Sequence, residues 1–60
     1  MKKGDFLTRD GFLGLAPEAL AHMPRRGYTR AFFEVEESGG GRLYVKFRER
    51  RFYLSAGRLN

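Results

Sequence analysis

Alternation of apolar and polar residues runs through the second half of this 60-residue chain, interrupted by three glycines at positions 39–41. Such a period of two is typical of β-strands, because successive side chains point to opposite faces. A glycine run between two such stretches indicates a hairpin turn. The pattern therefore predicts three strands, within residues 30–36, 42–48 and 51–56. Their apolar face is formed by Ala31, Phe33, Val35, Leu43, Val45, Phe47, Phe52, Leu54 and Ala56.

The predicted hairpins also determine which polar residues meet across the sheet. If the first hairpin is symmetric about Gly39, Arg30 lies opposite Arg48. A two-residue turn at positions 49–50 then places Arg48 opposite Arg51. This pairing predicts a row of three arginines across three adjacent strands, at one end of the sheet.

The first half of the chain predicts less regular structure. Residues 3–9 favour a short strand, and Asp10-Gly11 is typical of a turn. Pro17 suits the first position of a helix and Pro24 ends it, which predicts one or two helical turns from Pro17 to Met23. The apolar side chains of this half are expected to cover the sheet. They are Phe6, Phe12, Leu13, Leu15, Leu20 and Met23.

Chain length and composition limit the classes of function. We expect a single domain over residues 1–60, mainly β, with a short helix in the first long loop. A chain of this size buries only about 60% of its unfolded surface, which leaves little room for an enclosed active site and argues against an enzyme. The chain has no cysteine and one histidine, so neither disulfides nor a metal centre is expected. We expect no cofactor.

No feature of the sequence predicts a membrane protein. A membrane-spanning helix needs about 18–20 consecutive apolar residues, and no run approaches that length. The start of the chain is basic, but no apolar stretch follows as it would in a signal peptide, because Asp5, Arg9 and Asp10 interrupt it. The sequence therefore predicts a cytoplasmic protein.

The net charge of +5 lies entirely in the second half of the chain. Basic and acidic residues balance over positions 1–24. Residues 25–60 carry nine basic and four acidic side chains, and eight of the nine are arginine. Arginine is the side chain best suited to bidentate contact with phosphate.

A basic sheet face that also carries aromatic residues predicts nucleic-acid binding, because cations contact phosphates and rings stack on bases. Two other interpretations stay open. The same face is suited to a protein partner or a second copy of the chain, since interfaces are enriched in aromatic residues and arginine. The arginines are also compatible with a solvated sheet edge. DNA and RNA are not distinguished. The predicted contact residues are Arg25, Arg26, Arg30, Phe32, Tyr44, Lys46, Arg48, Arg50, Arg51 and Tyr53.

The order of these features resembles small SH3-like barrels, including the KOW-type modules of transcription and translation proteins. The likeness begins at residues 3–7, Lys-Gly-Asp-Phe-Leu, which are similar to the Gly-Asp-hydrophobic opening of many such barrels. The excursion 10–27 resembles their first long loop, and Gly27 stands before the second strand. The hairpin follows, and residues 52–56 lead into Arg58-Leu59 like a closing strand.

This resemblance implies a small barrel, or a strongly bent antiparallel sheet, that binds RNA, DNA or protein. The type II plasmid dihydrofolate reductases are similar in length and opening. Their active site needs a Val-Gln-Ile-Tyr strand, whereas residues 51–54 here read Arg-Phe-Tyr-Leu, so that activity is not expected. The rival architecture is a three-stranded sheet with one packed helix, as in small DNA-binding domains of integrases, which would use the same arginines.

Overall fold

The structure is a computed structural model that describes residues 1–23 and 32–55. Its elements are β1 (Phe6–Thr8), α1 (Arg9–Leu15), a 3₁₀ helix (Pro17–His22), β2 (Phe32–Glu34), β3 (Glu36–Glu37), β4 (Leu43–Phe47) and β5 (Arg50–Tyr53). β1 and β2 form a two-stranded antiparallel sheet, and β3, β4 and β5 form a three-stranded one. The predicted combination of mainly antiparallel strands with a short helical segment is confirmed. Pairing among the described strands closes no barrel.

The first predicted strand is divided between the two sheets. Its first part, β2, pairs with β1, and its second part, β3, pairs with β4. Buried Val35 separates them and extends the β1–β2 ladder. Its N–H donates to the Asp5 carbonyl at 2.8 Å, and its carbonyl accepts from the Gly4 N–H at 2.9 Å. The chain therefore passes from one sheet to the other at Val35.

The first hairpin is centred on Gly40 and not on Gly39. The Ser38 N–H donates to the Arg42 carbonyl at 2.9 Å, and the Gly41 N–H donates to the Ser38 carbonyl at 2.9 Å. Gly41 has a φ of 84°, which suits the left-handed residue that ends a three-residue loop. The predicted register is therefore wrong by two residues. A shift of two leaves each side chain on its predicted face.

The second hairpin turns one residue earlier than predicted. Phe47 pairs with Arg50, which leaves Arg48 and Glu49 as the turn, at φ values of 52° and 67°. Two consecutive positive φ angles are typical of a type I′ turn, which asparagine and glycine favour. For other residues the left-handed conformation costs about 1–2 kcal/mol each. The predicted row of arginines is wrong, because Arg48 lies in the turn and not opposite Arg51.

Thr8 begins an α-helix that the sequence patterns did not predict. Its Oγ1 accepts a hydrogen bond from the Gly11 N–H at 3.1 Å, which satisfies one free donor of the first helical turn. Asp10 and Gly11 lie inside α1, so the turn predicted there is wrong. The helical turns predicted from residue 17 onwards are confirmed as the 3₁₀ helix.

Aromatic rings from both halves of the chain form the core. The ring centroid of Phe12 lies 4.9 Å from that of Phe33 and 5.9 Å from that of Phe52. Phe6 and Leu20, which were predicted to cover the sheet, are 65% and 57% exposed, so these two predictions are wrong. The buried cluster is Phe12, Ala16, Ala19, Phe33, Val45, Phe47 and Phe52, with Leu7, Leu13, Met23 and Leu54 packed against it.

Candidate nucleic-acid interface

Cations and tyrosines share the outer face of β4 and β5. They occupy the positions that alternate with buried Val45 and Phe52, so they lie on the side of the sheet away from the core. The register places Tyr44 opposite Tyr53 and Lys46 opposite Arg51. We call this surface the basic face, and its residues are Arg42, Tyr44, Lys46, Arg51 and Tyr53.

Each tyrosine of the basic face is covered by an arginine from the neighbouring strand. The guanidinium carbon of Arg42 lies 4.1 Å from the ring centroid of Tyr53, and that of Arg51 lies 4.6 Å from the ring centroid of Tyr44. The two ring centroids are 5.5 Å apart. Both contacts fall within the roughly 6 Å range of cation–π attraction. The four side chains therefore form one interlocked stack.

This stack changes the role expected of the tyrosines. Both were predicted to stack on bases, but Tyr44 is only 7% exposed and Tyr53 is half-buried. The stacking of arginine on each ring occupies the surface that a base would need. A guanidinium has five N–H donors, so an arginine placed over a ring, even one that also bonds Tyr53 as Arg51 does, keeps donors for a phosphate. The tyrosines accordingly position cations and do not offer an open stacking surface.

Among the described residues, no carboxylate forms a close ion pair with a cation of the basic face. Among residues 1–23 and 32–55, the one ion pair joins Arg9 to Asp10, at 3.7 Å and away from this surface. Lys46 and Arg51 lie directly opposite each other, an arrangement that is destabilising for like charges. Glu36 lies opposite Tyr44 and acts on Arg51 electrostatically, but in the described part of the chain no carboxylate forms an ion pair with this face.

Arg51 is also held in its charged form. A side-chain hydrogen bond with Tyr53 raises its pKa most, the electrostatic influence of Tyr44 raises it further, and Glu36 adds a smaller effect. The pKa of a guanidinium is already far above neutrality, so Arg51 is cationic at physiological pH with or without this shift.

Further cations lie at the turn between β4 and β5. We call residues 48–50 the hairpin tip; all three are exposed. The guanidinium carbon of Arg48 lies 5.5 Å from the ring centroid of Phe47. Arg50 pairs with Phe47 and, by the alternation of the strand, points to the side of the hairpin opposite Arg51. The tip extends the positive charge around the end of the hairpin.

Of the predicted contact residues, Phe32 is not brought to the basic face. Phe32 lies on the outer side of β2, opposite Thr8, and is 67% exposed. Phe6 lies on the same outer side of the β1–β2 sheet. The other predicted contacts fall outside the described residues, and they are Arg25, Arg26 and Arg30.

Sequence reasoning missed Arg42 and Phe6 as surface residues of interest. For Arg42 a signal was present, because it precedes Tyr44 by two positions in the alternation and so shares its face. For Phe6 the signal was ambiguous. A three-residue strand has too few positions for the alternation to tell its inner face from its outer one.

Comparisons of this chain with protein-family models, with curated proteins and with solved structures found no match. Over the described ranges, no three acidic or histidine side chains are grouped so that they could hold a metal ion. No helix in those ranges has the length and apolar character needed to cross a membrane. The candidate function therefore depends on the chemistry of the basic face and the hairpin tip.

Proposed function

We propose that this chain is a non-enzymatic nucleic-acid-binding protein that contacts phosphates through the basic face. The observation that carries the proposal is the pair of Lys46 and Arg51, which lie opposite each other and form no ion pair with a carboxylate among the described residues. Like charges in this position cost up to about 1 kcal/mol. A small domain has only a few kcal/mol of stability, so this repulsion is a substantial cost. A bound polyanion would relieve it by neutralising the pair.

The stacked arginines supply the mechanism. Arg42 and Arg51 each lie on a tyrosine ring, which limits their rotamers before any ligand arrives. A cation held in place loses less entropy on binding, and its fork of N–H donors matches the oxygens of a phosphate. Phosphate contacts of this kind give affinity with little sequence preference.

Acidic residues limit where the ligand lies. Glu36 lies opposite Tyr44 and so shares the side of the basic face, and Glu34 lies on the outer side of β2. Glu37 lies opposite Leu43, on the other side of β3. Their charge repels phosphates, so the path of the nucleic acid crosses β4 and β5 and avoids the glycine loop.

The experiment that tests this function is a binding measurement with matched charge changes. Fluorescence anisotropy with a labelled mixed-sequence oligonucleotide compares the wild type with the double variant Arg42→Gln/Arg51→Gln. The control is Lys2→Gln/Lys3→Gln, which removes the same charge from the exposed start of the chain. We expect the arginine variant to bind at least about tenfold more weakly and the control to bind nearly as the wild type does. Equal losses in both variants would exclude a specific role for the basic face.

For the fold we further propose an SH3-like barrel as the complete arrangement. The support is the bend at Val35, because one strand shared by two sheets is how small orthogonal sheet packings turn their corners. The hydrogen bond from the Ser55 N–H to the Leu15 carbonyl, at 3.0 Å, also links the end of β5 to the helical segment.

A protein-interaction module is the second candidate function. The observation in its favour is that Phe6 and Phe32 are both about two-thirds exposed on the outer side of the β1–β2 sheet. A second copy of the chain is the partner to test first, because a two-fold axis brings the same apolar patch together from both sides.

Light scattering over a range of protein concentrations distinguishes the candidates. A dimer that is insensitive to salt and is lost in Phe32→Ser would favour this alternative.

A further inference from the structure

We infer that the hairpin tip, residues 48–50, enters the major groove of double-stranded DNA. The inference rests on the proposed function and narrows it, because it names the class of nucleic acid. Its basis is the distribution of charge around the end of the β4–β5 hairpin and the backbone conformation of the turn.

Cations lie on both sides of the hairpin end and in its turn, where exposed Glu49 is the one acidic residue of the tip. Lys46 and Arg51 lie on the outer face, Arg50 points to the opposite side, and Arg48 lies in the turn. A nucleic-acid single strand that lies along a β-sheet needs cations on one face of that sheet only. A ribbon with cations on both faces and at its end suits a groove that has a phosphate backbone on each wall.

The width of the major groove is compatible with the end of a β-hairpin. Beyond Tyr44, β4 pairs with β5 alone among the described strands. The inner side of this hairpin packs on the core through Phe47 and Phe52, so the exposed turn and the outer side are the parts that a groove can receive. The major groove of B-form DNA is about 12 Å wide and admits such a ribbon. The major groove of an A-form RNA helix is deep and too narrow for protein side chains to read.

Open aromatic rings, which a single-strand site needs, are lacking at this end of the hairpin. Tyr44 and Phe47 are each 7% exposed, and each carries a guanidinium within 6 Å of its ring. Tyr44 is thus covered by Arg51, whereas Phe47 is buried in the core against Phe33.

The turn itself carries residues that do not suit its backbone. Arg48 and Glu49 have φ values of 52° and 67°, where asparagine and glycine are favoured. Residues held in an unfavourable conformation tend to cluster at functional sites. An arginine at this point of the turn places its cation at the extreme end of the ribbon.

Two single variants separate the role of the Arg48 charge from that of the turn. Glu49→Gly relieves the backbone, keeps Arg48 and removes a carboxylate, so Glu49→Gln, which removes that carboxylate without supplying a glycine, is its control. Arg48→Asn relieves the backbone and removes the cation. We expect Glu49→Gly to raise the urea midpoint of unfolding and to bind a DNA duplex at least as tightly as the wild type. We expect Arg48→Asn to stay folded in the same urea assay and to lose about tenfold in duplex affinity.

The probes are a DNA duplex of about 16 base pairs, one of its strands, and an RNA duplex of the same sequence. We expect the DNA duplex to bind at least about tenfold more tightly than either of the others. A tighter complex with the single strand or the RNA duplex would overturn the inference and leave the proposed function in place. A loss of duplex affinity in Arg48→Asn that is no greater than the loss in Lys3→Gln would also overturn the inference. Failure to bind any probe would overturn both.

Discussion

Arg51 combines two properties that lysine does not share. Its planar guanidinium stacks on the ring of Tyr44 at 4.6 Å, and its N–H groups form a fork that matches a phosphate. We therefore expect Arg51→Lys to keep the salt dependence of nucleic-acid binding but to lower the affinity about three- to tenfold at fixed salt. Anisotropy titrations measure both quantities. Wild-type affinity in this variant would contradict the positioning role of Tyr44.

Tyr44 is expected to matter for stability as well as for binding. Its ring is 7% exposed and contacts both Tyr53 and Arg51. Replacing it with leucine removes the aromatic and cation–π contacts, so we expect Tyr44→Leu to lower the free energy of unfolding by about 1–2 kcal/mol. Tyr44→Phe keeps the ring and is the control, with an expected loss of about 0.5 kcal/mol or less. Urea unfolding followed by circular dichroism tests this, and equal stabilities would count against the stack.

For single residues, the sequence predicted the side of the sheet on which a side chain lies better than it predicted how exposed that side chain is. Alternation placed Tyr44 and Lys46 outside and Phe33 and Val45 inside, as the structure has them. It did not predict that Tyr44 is covered. Covering depends on the rotamers of arginines on neighbouring strands, and the alternation carries no information about them.

Among the elements, α1 is the one that sequence reasoning could not recover. It has seven residues, and two of them, Gly11 and Gly14, are poor helix formers. A helix this short depends on its packing and its cap, here burial of Phe12 and the hydrogen bond to Thr8. Neither the capping partner nor the burial can be recognised before the strands that Phe12 packs against are placed.

Replacing glycine with alanine is expected to have opposite effects on stability at Gly14, in α1, and at Gly41, in the loop of the first hairpin. Gly14 lies within α1, and a Cβ added there meets no atom within 4 Å. We therefore expect Gly14→Ala to raise the free energy of unfolding by about 0.5–1 kcal/mol. Gly41 has a φ of 84°, so Gly41→Ala should lower it by about 1 kcal/mol or more. Urea midpoints measure both, and a shift of the same sign in the two variants would contradict the assigned backbone conformations.

Both hairpins were predicted to exist, but neither was predicted in its correct register. The glycine run located the first turn, and only the left-handed φ of Gly41 decides which glycine ends it. The second turn uses Arg48 and Glu49, which lack the asparagine–glycine signal of a type I′ turn. In each case the turn type sets the register, and residue type alone did not reveal the turn type.

For the whole molecule, the division of one predicted strand between two sheets decides the architecture. The alternation runs through Phe33 and Val35 without a break, so it predicted a single strand with a single partner. The change of partner at Val35 depends on hydrogen bonds to Gly4 and Asp5, about 30 positions earlier in the chain. Contacts this distant in sequence leave no local pattern.

Charge is likewise distributed unevenly over the molecule. Between residues 32 and 55 the chain carries five basic and four acidic side chains, so the strength of the basic face comes from its arrangement and not from a large local excess. The acidic residues follow the glycine-loop end of the sheet and the turn, whereas four of the cations gather at the far end of β4 and β5. Binding should therefore be directional, with the nucleic acid approaching the hairpin tip.

The salt dependence of binding tests the central claim most directly. The logarithm of the association constant for a DNA duplex is measured against the logarithm of the salt concentration, for the wild type and for Arg42→Gln/Arg51→Gln. Each phosphate contact contributes close to one unit of slope. We expect a linear decrease for the wild type and a slope shallower by about two units in the variant. The same slope in both proteins would contradict phosphate binding by the basic face.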